Sequence, residues 1–282
     1  MTYLRKPEWL KIKLHSEAEF THVSQVIKQH NLHTICSSGK CPNMSECWNK
    51  GTATLMILGE ICTRACKFCN TLTGRPLPLD TNEPDNVAKS IKLMKLHHAV
   101  VTSVDRDDLP DGGAVQWAKT IRAIRNVNPD TTLEVLIPDF DGKTELIDLI
   151  INEKPEIISH NLETVRRLTP SIRTKAKYDI SLRVLAHIAS RNIVTKTGIM
   201  LGLGETQEEV LTLMDEARAT GCSILTIGQY MQPSRKNVEV KEYITPEKFE
   251  EYKQIGLQKG FRQVESGPLV RSSYCAEKHI QK

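Results

Sequence analysis

Two hydrophobic periods alternate along most of this chain. Short β-branched apolar runs begin near Thr52, Ala99, Thr132, Ile157, Val194 and Ile224. Runs of that length and composition fit strands buried on both faces. Between them, apolar residues recur every three or four positions, the period of a helix with one buried face. Val87, Ile91 and Met94 share such a face, as do Ala114, Trp117, Ala118 and Ile121. Leu146, Ile147 and Ile150 mark a third helix, and Leu182, Leu185, Ile188 and Ala189 a fourth. The fifth carries Val210, Leu211 and Met214 and opens on Thr206–Glu209, a capping box in which hydroxyl and carboxylate satisfy free amides of the first turn. A sixth runs from about Pro246, behind Thr245 as N-cap, through Phe249, Tyr252 and Ile255 to Gly260.

Six strand–helix units in series predict an α/β fold with a parallel sheet. A full barrel closes on eight, so the prediction is a partial (β/α)6 TIM-like barrel with N-terminal and C-terminal extensions. Its open side would admit a bulky, protein-bound substrate. The barrel is expected over 52–260, the N-terminal extension over 1–51 and the C-terminal extension over 261–282. Within the first extension, Phe20, Val23, Val26 and Ile27 predict an amphipathic helix, whose His22 and His30 read as surface residues.

Composition narrows the class. A chain of 282 residues buries a core without staples. Lys and Arg number 38 against 34 Asp and Glu, and the basic residues are spread out without aromatic interleaving, which argues against nucleic acid. A modest basic face for an acidic protein partner stays compatible with the charge. No apolar segment opens the chain and no run approaches membrane length, so no membrane association and a cytoplasmic location are expected. Six of the eight cysteines fall in two tight triplets, the usage of metal binding in a reducing compartment rather than of disulfides.

The candidate chemistry centres on CTRACKFC, with Cys62, Cys66 and Cys69 spaced CxxxCxxC just past the first barrel strand. Three thiolates hold three irons of a cubic 4Fe–4S cluster and leave the fourth open, the place where a ligand attaches. A zinc site is the competing reading, but zinc sites bring four ligands in two CxxC-like pairs, and this triplet has no nearby fourth. Earlier, Cys36, Cys41 and Cys47 are spaced CxxxxCxxxxxC in a stretch broken by Gly39 and Pro42, which predicts a loop wrapped around a second cluster. Polar groups gather after the strands: Thr102, Ser103 and Asp105 to Asp108; Asn161 and Glu163; Arg173; and Gly202 and Gly204 in LGLGET. From the residues alone, Glu163 is equally a structural ion-pair partner and Asp105 to Asp108 a solvated turn. LGLGET lacks the third glycine of a dinucleotide fingerprint. Cys222 reads as a small buried hydrophobe.

The CxxxCxxC loop, with Phe68 before its last cysteine, resembles the signature of the radical S-adenosylmethionine (SAM) superfamily. KPEWLK, CPNMSECW, VTSVDRDDLPDGGA, HNLETVRRL, GIMLGLGET, GQYMQPS and GPLVRSSY, taken in order with both triplets, resemble the lipoyl synthase family. The resemblance implies two 4Fe–4S clusters, one at Cys62, Cys66 and Cys69 and an auxiliary one at Cys36, Cys41 and Cys47. A serine of RSSY would complete the auxiliary cluster, Ser273 being favoured with Ser272 a close rival; Cys275 is the tempting alternative. Further implied are SAM held by Phe68, Thr102, Ser103, Asp105, Asn161, Glu163, Arg173, Gly202 and Gly204, and two SAM consumed per product. The implied activity is insertion of two sulfurs, drawn from the auxiliary cluster, into a protein-bound octanoyl chain. The implied partners are an octanoylated lipoyl carrier (an H protein or an E2 lipoyl domain), a low-potential electron donor such as ferredoxin or flavodoxin, and an iron–sulfur carrier that rebuilds the auxiliary cluster. Two other classes compete: a biotin synthase-like enzyme acting on a free small molecule, and a non-catalytic iron–sulfur scaffold.

Overall fold

The computed structural model describes residues 5–11, 18–29, 32–49, 53–274 and 276–280. The N-terminal extension contributes α1 (Ala18–Gln29), β1 (His33–Thr34), α2 (Ile35–Ser38) and α3 (Met44–Asn49). Then follow β2 (Thr54–Ile57), β3 (Ile61–Cys62), β4 (Leu72–Thr73), α4 (Glu83–Leu93), β5 (His98–Ser103), α5 (Ala114–Val127) and β6 (Thr132–Leu136). The second half carries α6 (Thr144–Ile151), β7 (Ile157–Ser159), α7 (Thr169–Ile172), α8 (Tyr178–Ser190), β8 (Val194–Leu201), α9 (Gln207–Ala219), β9 (Ile224–Gln229), α10 (Pro246–Gln258) and β10 (Gln263–Gly267).

The apolar runs pair as expected. One eight-stranded sheet has the order β1-β2-β5-β6-β7-β8-β9-β10, all parallel except β1, which runs antiparallel on β2. Strand alternation sorts the side chains onto two faces. On β6, Leu133 and Val135 join the apolar layer under the helices, while Glu134 and Leu136 line the interior. On β5, Ala99 and Val101 face the helices, and Val100 and Thr102 the interior. The hydrophobic core is therefore the ring between sheet and helices, and the interior is free to be polar. The capping box at Thr206 and Glu209 forms, Thr245 caps α10 by accepting from the Lys248 amide, and Cys222 is fully buried.

Three features differ from the sequence reading. The sheet gains a seventh parallel strand, β10, so the barrel continues to Gly267 rather than ending at 260. QVESG holds one apolar residue, Val264, which packs toward Gly256 of α10; an edge strand with a single buried side chain leaves no apolar run to read. The stretch expected as a loop around Cys36 and Cys47 contains two short helices, α2 and α3. Thr34 caps α2 by accepting from the Ser37 amide, and the breaks at Gly39 and Pro42 fall between the two helices. Finally, the side left open by the partial barrel is crossed by the chain's own C-terminal segment. Asn43 donates to the Leu269 carbonyl (2.7 Å) and Tyr274 Oη lies 3.3 Å from Glu46 Oε1. Farther down, near the start of the strands, His279 Nδ1 is 3.1 Å from Lys196 Nζ, which pairs with buried Glu134 at 2.7 Å. Thr52, the 51/52 boundary, His30 and Cys275 lie outside the described residues, as does the side chain of His22.

Candidate functional site

A cavity of about 530 Å³ opens at the C-terminal ends of the strands. After β2 the backbone turns through Leu58 and Gly59, both left-handed, and delivers Cys62 to the cavity wall at the end of β3. Cys66 and Cys69 line the same wall. Cys62 Sγ accepts from the amides of Arg64 and Asp105, each at 3.4 Å, and Cys69 Sγ from the Thr71 amide at 3.5 Å. The loop is pinned from outside by Lys67 N to Ile172 O (2.8 Å), Ala65 N to Thr174 Oγ1 (3.2 Å) and Asn237 Nδ2 to Cys69 O (2.8 Å). Phe68 packs beneath it with Ile172, Leu203 and Tyr230. Burial pushes the Cys62 thiol up to about 12, with the charge of Asp105 adding, and burial raises Cys66 as well. Such thiols are poor free nucleophiles and yield their protons to a soft metal. Among the described residues no three His, Cys, Asp or Glu side chains close tightly enough for one metal ion.

Sequence reasoning missed what holds this loop. Arg64, between the first two cysteines, is buried and forks onto Asp107 (2.9 and 2.9 Å) and Asp139 (2.9 and 2.8 Å), with Asp105 at 3.3 Å. Burial works against its charge, but these carboxylates outweigh it and raise the Arg64 pKa. Arg106 forks onto Asp108 and donates to the carbonyls of Leu58 and Leu77, both at 3.1 Å. Asp107 and Asp108 are thus counter-ions. The only sequence signal was an arginine inside the cysteine motif facing unpaired acids after two later strands.

Thr102, Ser103, Asp105, Asn161, Glu163 and Arg173 also line the cavity, Asp105 directly beside Cys62. Thr102 Oγ1 donates to the Leu136 carbonyl (3.1 Å). Asn161 Nδ2 donates to Glu163 Oε1 (3.1 Å) and Ser272 Oγ (2.7 Å), and Arg173 to the Asn161 carbonyl (3.3 Å) and Ser181 Oγ (3.0 Å). Glu163 has left-handed backbone (φ 66°), and burial raises its carboxyl against the pull of Arg173. Ser103 Oγ and Asn161 Oδ1 are buried without a hydrogen-bond partner. Orphaned polar atoms on a cavity wall fit a polar ligand. The two glycines are placed differently from expectation. Gly202 and Gly204 do not line the cavity; Gly202, at φ +94°, is crowded by Gln229 and the Glu242 carbonyl. The close approaches that matter lie at Gly198 and Gly228, unmarked in the sequence, where a Cβ would come within 3.1 Å of Ser272 Oγ and 2.1 Å of the Val270 carbonyl respectively.

The leading triplet reaches the cavity through Cys36 and Cys41, while Cys47 on α3 packs against the apolar core and is not a lining residue. Burial pushes the Cys36 thiol up against the pull of Thr54 and Trp48; burial raises Cys41 too, the charge of Cys36 adding and Arg271 opposing. Thr54 Oγ1, beside Cys36, donates to Ser273 Oγ at 2.8 Å. Two adjacent serines of the C-terminal segment therefore serve different walls: Ser273 shares Thr54 with Cys36, and Ser272 shares Asn161 with Glu163.

Residues 56–217 match the Radical SAM superfamily. The chain is 65% identical over 278 residues to the lipoyl synthase of Parabacteroides distasonis, covering 99% of each. It is likewise 65% identical over 279 residues to the lipoyl synthase of Porphyromonas gingivalis, again covering 99% of each. Streptococcus suis SuiB bound to S-adenosylmethionine shares the fold with TM-score 0.60 at 10% identity, over 79% of this chain and 54% of that longer one.

Proposed function

We propose, from the premise that this chain belongs to the lipoyl synthase family of the radical SAM superfamily, that it inserts sulfur at carbons 6 and 8 of an octanoyl group amide-linked to a carrier-protein lysine. A 4Fe–4S cluster and SAM are the cofactors of that superfamily. Together, when bound, they supply a primary carbon radical able to take hydrogen from carbons that neither acid–base nor nucleophilic groups can open.

Cys62, Cys66 and Cys69 hold this cluster as three thiolates and leave one iron for SAM. Ser103 Oγ and Asn161 Oδ1, otherwise unpartnered, meet the polar groups of SAM, together with Thr102, Asp105 and Glu163. Arg173 lends a planar fork suited to a carboxylate. Gly198 and Gly228 keep the cavity's narrow parts clear of side chains. Cys36, Cys41 and Cys47, with Ser273 Oγ as fourth donor, carry an auxiliary 4Fe–4S cluster as sulfur source. Oxygen matches a soft cluster less well than thiolate does, so Ser273 would be its weakest protein ligand. One SAM for each carbon gives two per product. The extensions over 1–51 and after the barrel act as one unit, carrying the sulfur source against the open side.

The observation that supports this reading is that Cys36 and Cys41 line the same cavity as Cys62, Cys66 and Cys69, with Ser273 on Thr54 beside Cys36 and Ser272 on Asn161 beside Glu163. Partners of the reading are an H protein or an E2 lipoyl domain, a low-potential donor such as ferredoxin or flavodoxin, and an iron–sulfur carrier for rebuilding. Among the described residues no helix is long and apolar enough to cross a membrane; a cytoplasmic location belongs to the proposal. The test is anaerobic reconstitution with reductant, SAM and an octanoyl-lysine peptide, read by mass spectrometry. Two sulfurs gained with 5′-deoxyadenosine released is the expected result. Deoxyadenosine without sulfur would overturn the substrate or the sulfur source, and no deoxyadenosine from cluster-loaded protein would return the chain to a scaffold role.

A further inference from the structure

Three segments, 36–41, 62–70 and 231–238, are laced to one another, and each contributes lining residues to the cavity, the last through Met231, Gln232 and Pro233. Asn70 Nδ2 donates to Ser38 O (2.8 Å), Asn237 Nδ2 to Cys69 O (2.8 Å), the Val238 amide to Lys67 O (3.0 Å) and Lys40 Nζ to Pro233 O (3.4 Å). These segments contain Lys40, Arg64, Lys67, Arg235 and Lys236 and no Asp or Glu, in a chain whose 38 basic residues nearly balance 34 acidic ones. Arg64 turns inward onto its aspartates. The other four are exposed, and none forms an ion pair among the described residues. Glu239, just beyond, pairs with Lys241 instead (3.9 Å). Several cations outside these segments are paired with carboxylates: Lys175 with Asp107 (2.8 Å), Arg167 with Glu209 (2.6 Å) and Arg166 with Glu216 (2.8 Å).

From this asymmetry we infer that Lys40, Lys67, Arg235 and Lys236 form a docking collar for an acidic face on the protein that carries the substrate lysine. The inference deepens the proposed function and rests on it. Like charges gathered on a rim repel one another until an opposite field meets them, and such rims steer encounter and fix orientation more than they add affinity. A collar around the mouth meets whatever protein threads a lysine arm into the cavity. Nucleic acid fits it less well, because stacking platforms are missing: the one aromatic residue of the three segments, Phe68, is packed inward.

The test is the double variant Arg235→Glu/Lys236→Glu in cluster-loaded protein, with dithionite as reductant so that no protein donor is needed. Sulfur insertion is followed on an octanoylated lipoyl carrier domain and on a short neutral octanoyl-lysine peptide. The expected result at low salt is a rise of about tenfold in KM for the carrier with kcat unchanged. Peptide kinetics should be untouched, and added salt should bring the wild type's carrier KM toward the variant's. Reversing exposed Lys89 and Lys92 on α4 should change neither substrate. An unchanged carrier KM, or equal loss on peptide and carrier, would overturn the collar. So would a single-stranded oligonucleotide bound by wild type and released by the variant. Wild-type protein that sulfurates neither substrate would strike the proposed function itself, and the collar with it, a result distinct from a collar failure, in which wild type turns over both.

Discussion

The two cysteine triplets, one entire and the other through Cys36 and Cys41, reach one cavity from frameworks of opposite kinds. Cys62, Cys66 and Cys69 sit on a loop bolted into the barrel by a buried arginine that gathers Asp105, Asp107 and Asp139 from beyond β5 and β6. Cys36 on α2, Cys47 on α3 and Cys41 between them belong to a segment that meets the C-terminal segment through single hydrogen bonds, Asn43 to Leu269 and Tyr274 to Glu46, while Thr54 of β2 reaches Ser273. A single such bond is worth about 1 kcal/mol net. Removing one partner from a buried ion network costs about 3–5 kcal/mol, because the charges left behind stay buried. The first site is held by a buried ion network, and the second by apolar packing and single hydrogen bonds. On the proposed function, that difference would suit a permanent radical source beside an expendable sulfur source.

The largest effects should fall where each triplet is broken. Cys66→Ala is expected to take 5′-deoxyadenosine release to background while the leading triplet still binds iron. Cys36→Ala is expected to keep deoxyadenosine release and lose sulfurated product. Iron and sulfide analysis beside the two product assays reads both. Normal lipoyl yield from Cys36→Ala would end the division of labour between the triplets.

Next in size is the framework itself. Arg64→Met should lower stability by about 3–5 kcal/mol in urea unfolding, since it strands Asp139 and Asp105 and leaves Asp107 only Lys175. Arg64→Lys should recover only part, having a charge but no double fork. Asn43→Ala, which severs one tie to Leu269, should cost about 1 kcal/mol. Equal losses from Arg64→Met and Asn43→Ala would erase the contrast.

A pH scan sharpens it further. His160 is buried between the Ile137 carbonyl and Ser181 Oγ (both 2.9 Å), and burial, with the nearby Arg173 charge, lowers it to about 4. Its folded pKa lies below the unfolded value of about 6.5. Between these values the unfolded chain takes a proton that the folded chain refuses. Stability is therefore full above about pH 6.5 and is lost as pH falls toward 4, by at most about 3 kcal/mol. His98, also lowered by burial, leans the same way. The measurement is thus the difference between wild type and His160→Gln, whose stability should be flatter across this window. An identical acid limb in both proteins would remove His160 from the barrel's account.

Barrel and first site were legible in the sequence to unequal degrees. Apolar periodicity located six strands and six helices because burial on the helix side is continuous there. It passed over β10, where only Val264 needs burial. The cysteine spacings were legible because metal chemistry constrains short loops. The Arg64 network was not, since its partners lie 43 and 75 residues away, and pairing at that range is a property of the closed sheet. Of the strand-end set, Thr102, Ser103, Asp105, Asn161, Glu163 and Arg173 all lie on the cavity wall. Gly202 and Gly204 misled because a left-handed turn and a ligand cradle look alike in sequence; only the neighbours, Gln229 and Glu242 in the case of Gly202, tell them apart.

The finest form of the comparison lies in two adjacent serines. Ser273→Ala removes the acceptor of Thr54 beside Cys36, and Ser272→Ala removes one of two acceptors of Asn161 Nδ2 beside Glu163. Each loses a single hydrogen bond, so each should cost only about 1 kcal/mol of stability. Their functional signatures should nevertheless part. Ser273→Ala is expected to change the iron environment of the leading triplet, read by Mössbauer spectroscopy in protein whose Cys62, Cys66 and Cys69 are replaced, and to leave SAM cleavage unaltered. Ser272→Ala is expected to leave that spectrum alone and raise the KM for SAM by about fivefold, the equivalent of one hydrogen bond. Thr54→Val separates support from ligation, because it frees Ser273 Oγ without removing it. If Thr54→Val and Ser273→Ala gave one spectrum, Ser273 would act only by bracing Cys36. If the two serine variants shared one phenotype, the walls would not be separable at all, and the expendable site would be tied to the permanent one through the C-terminal segment.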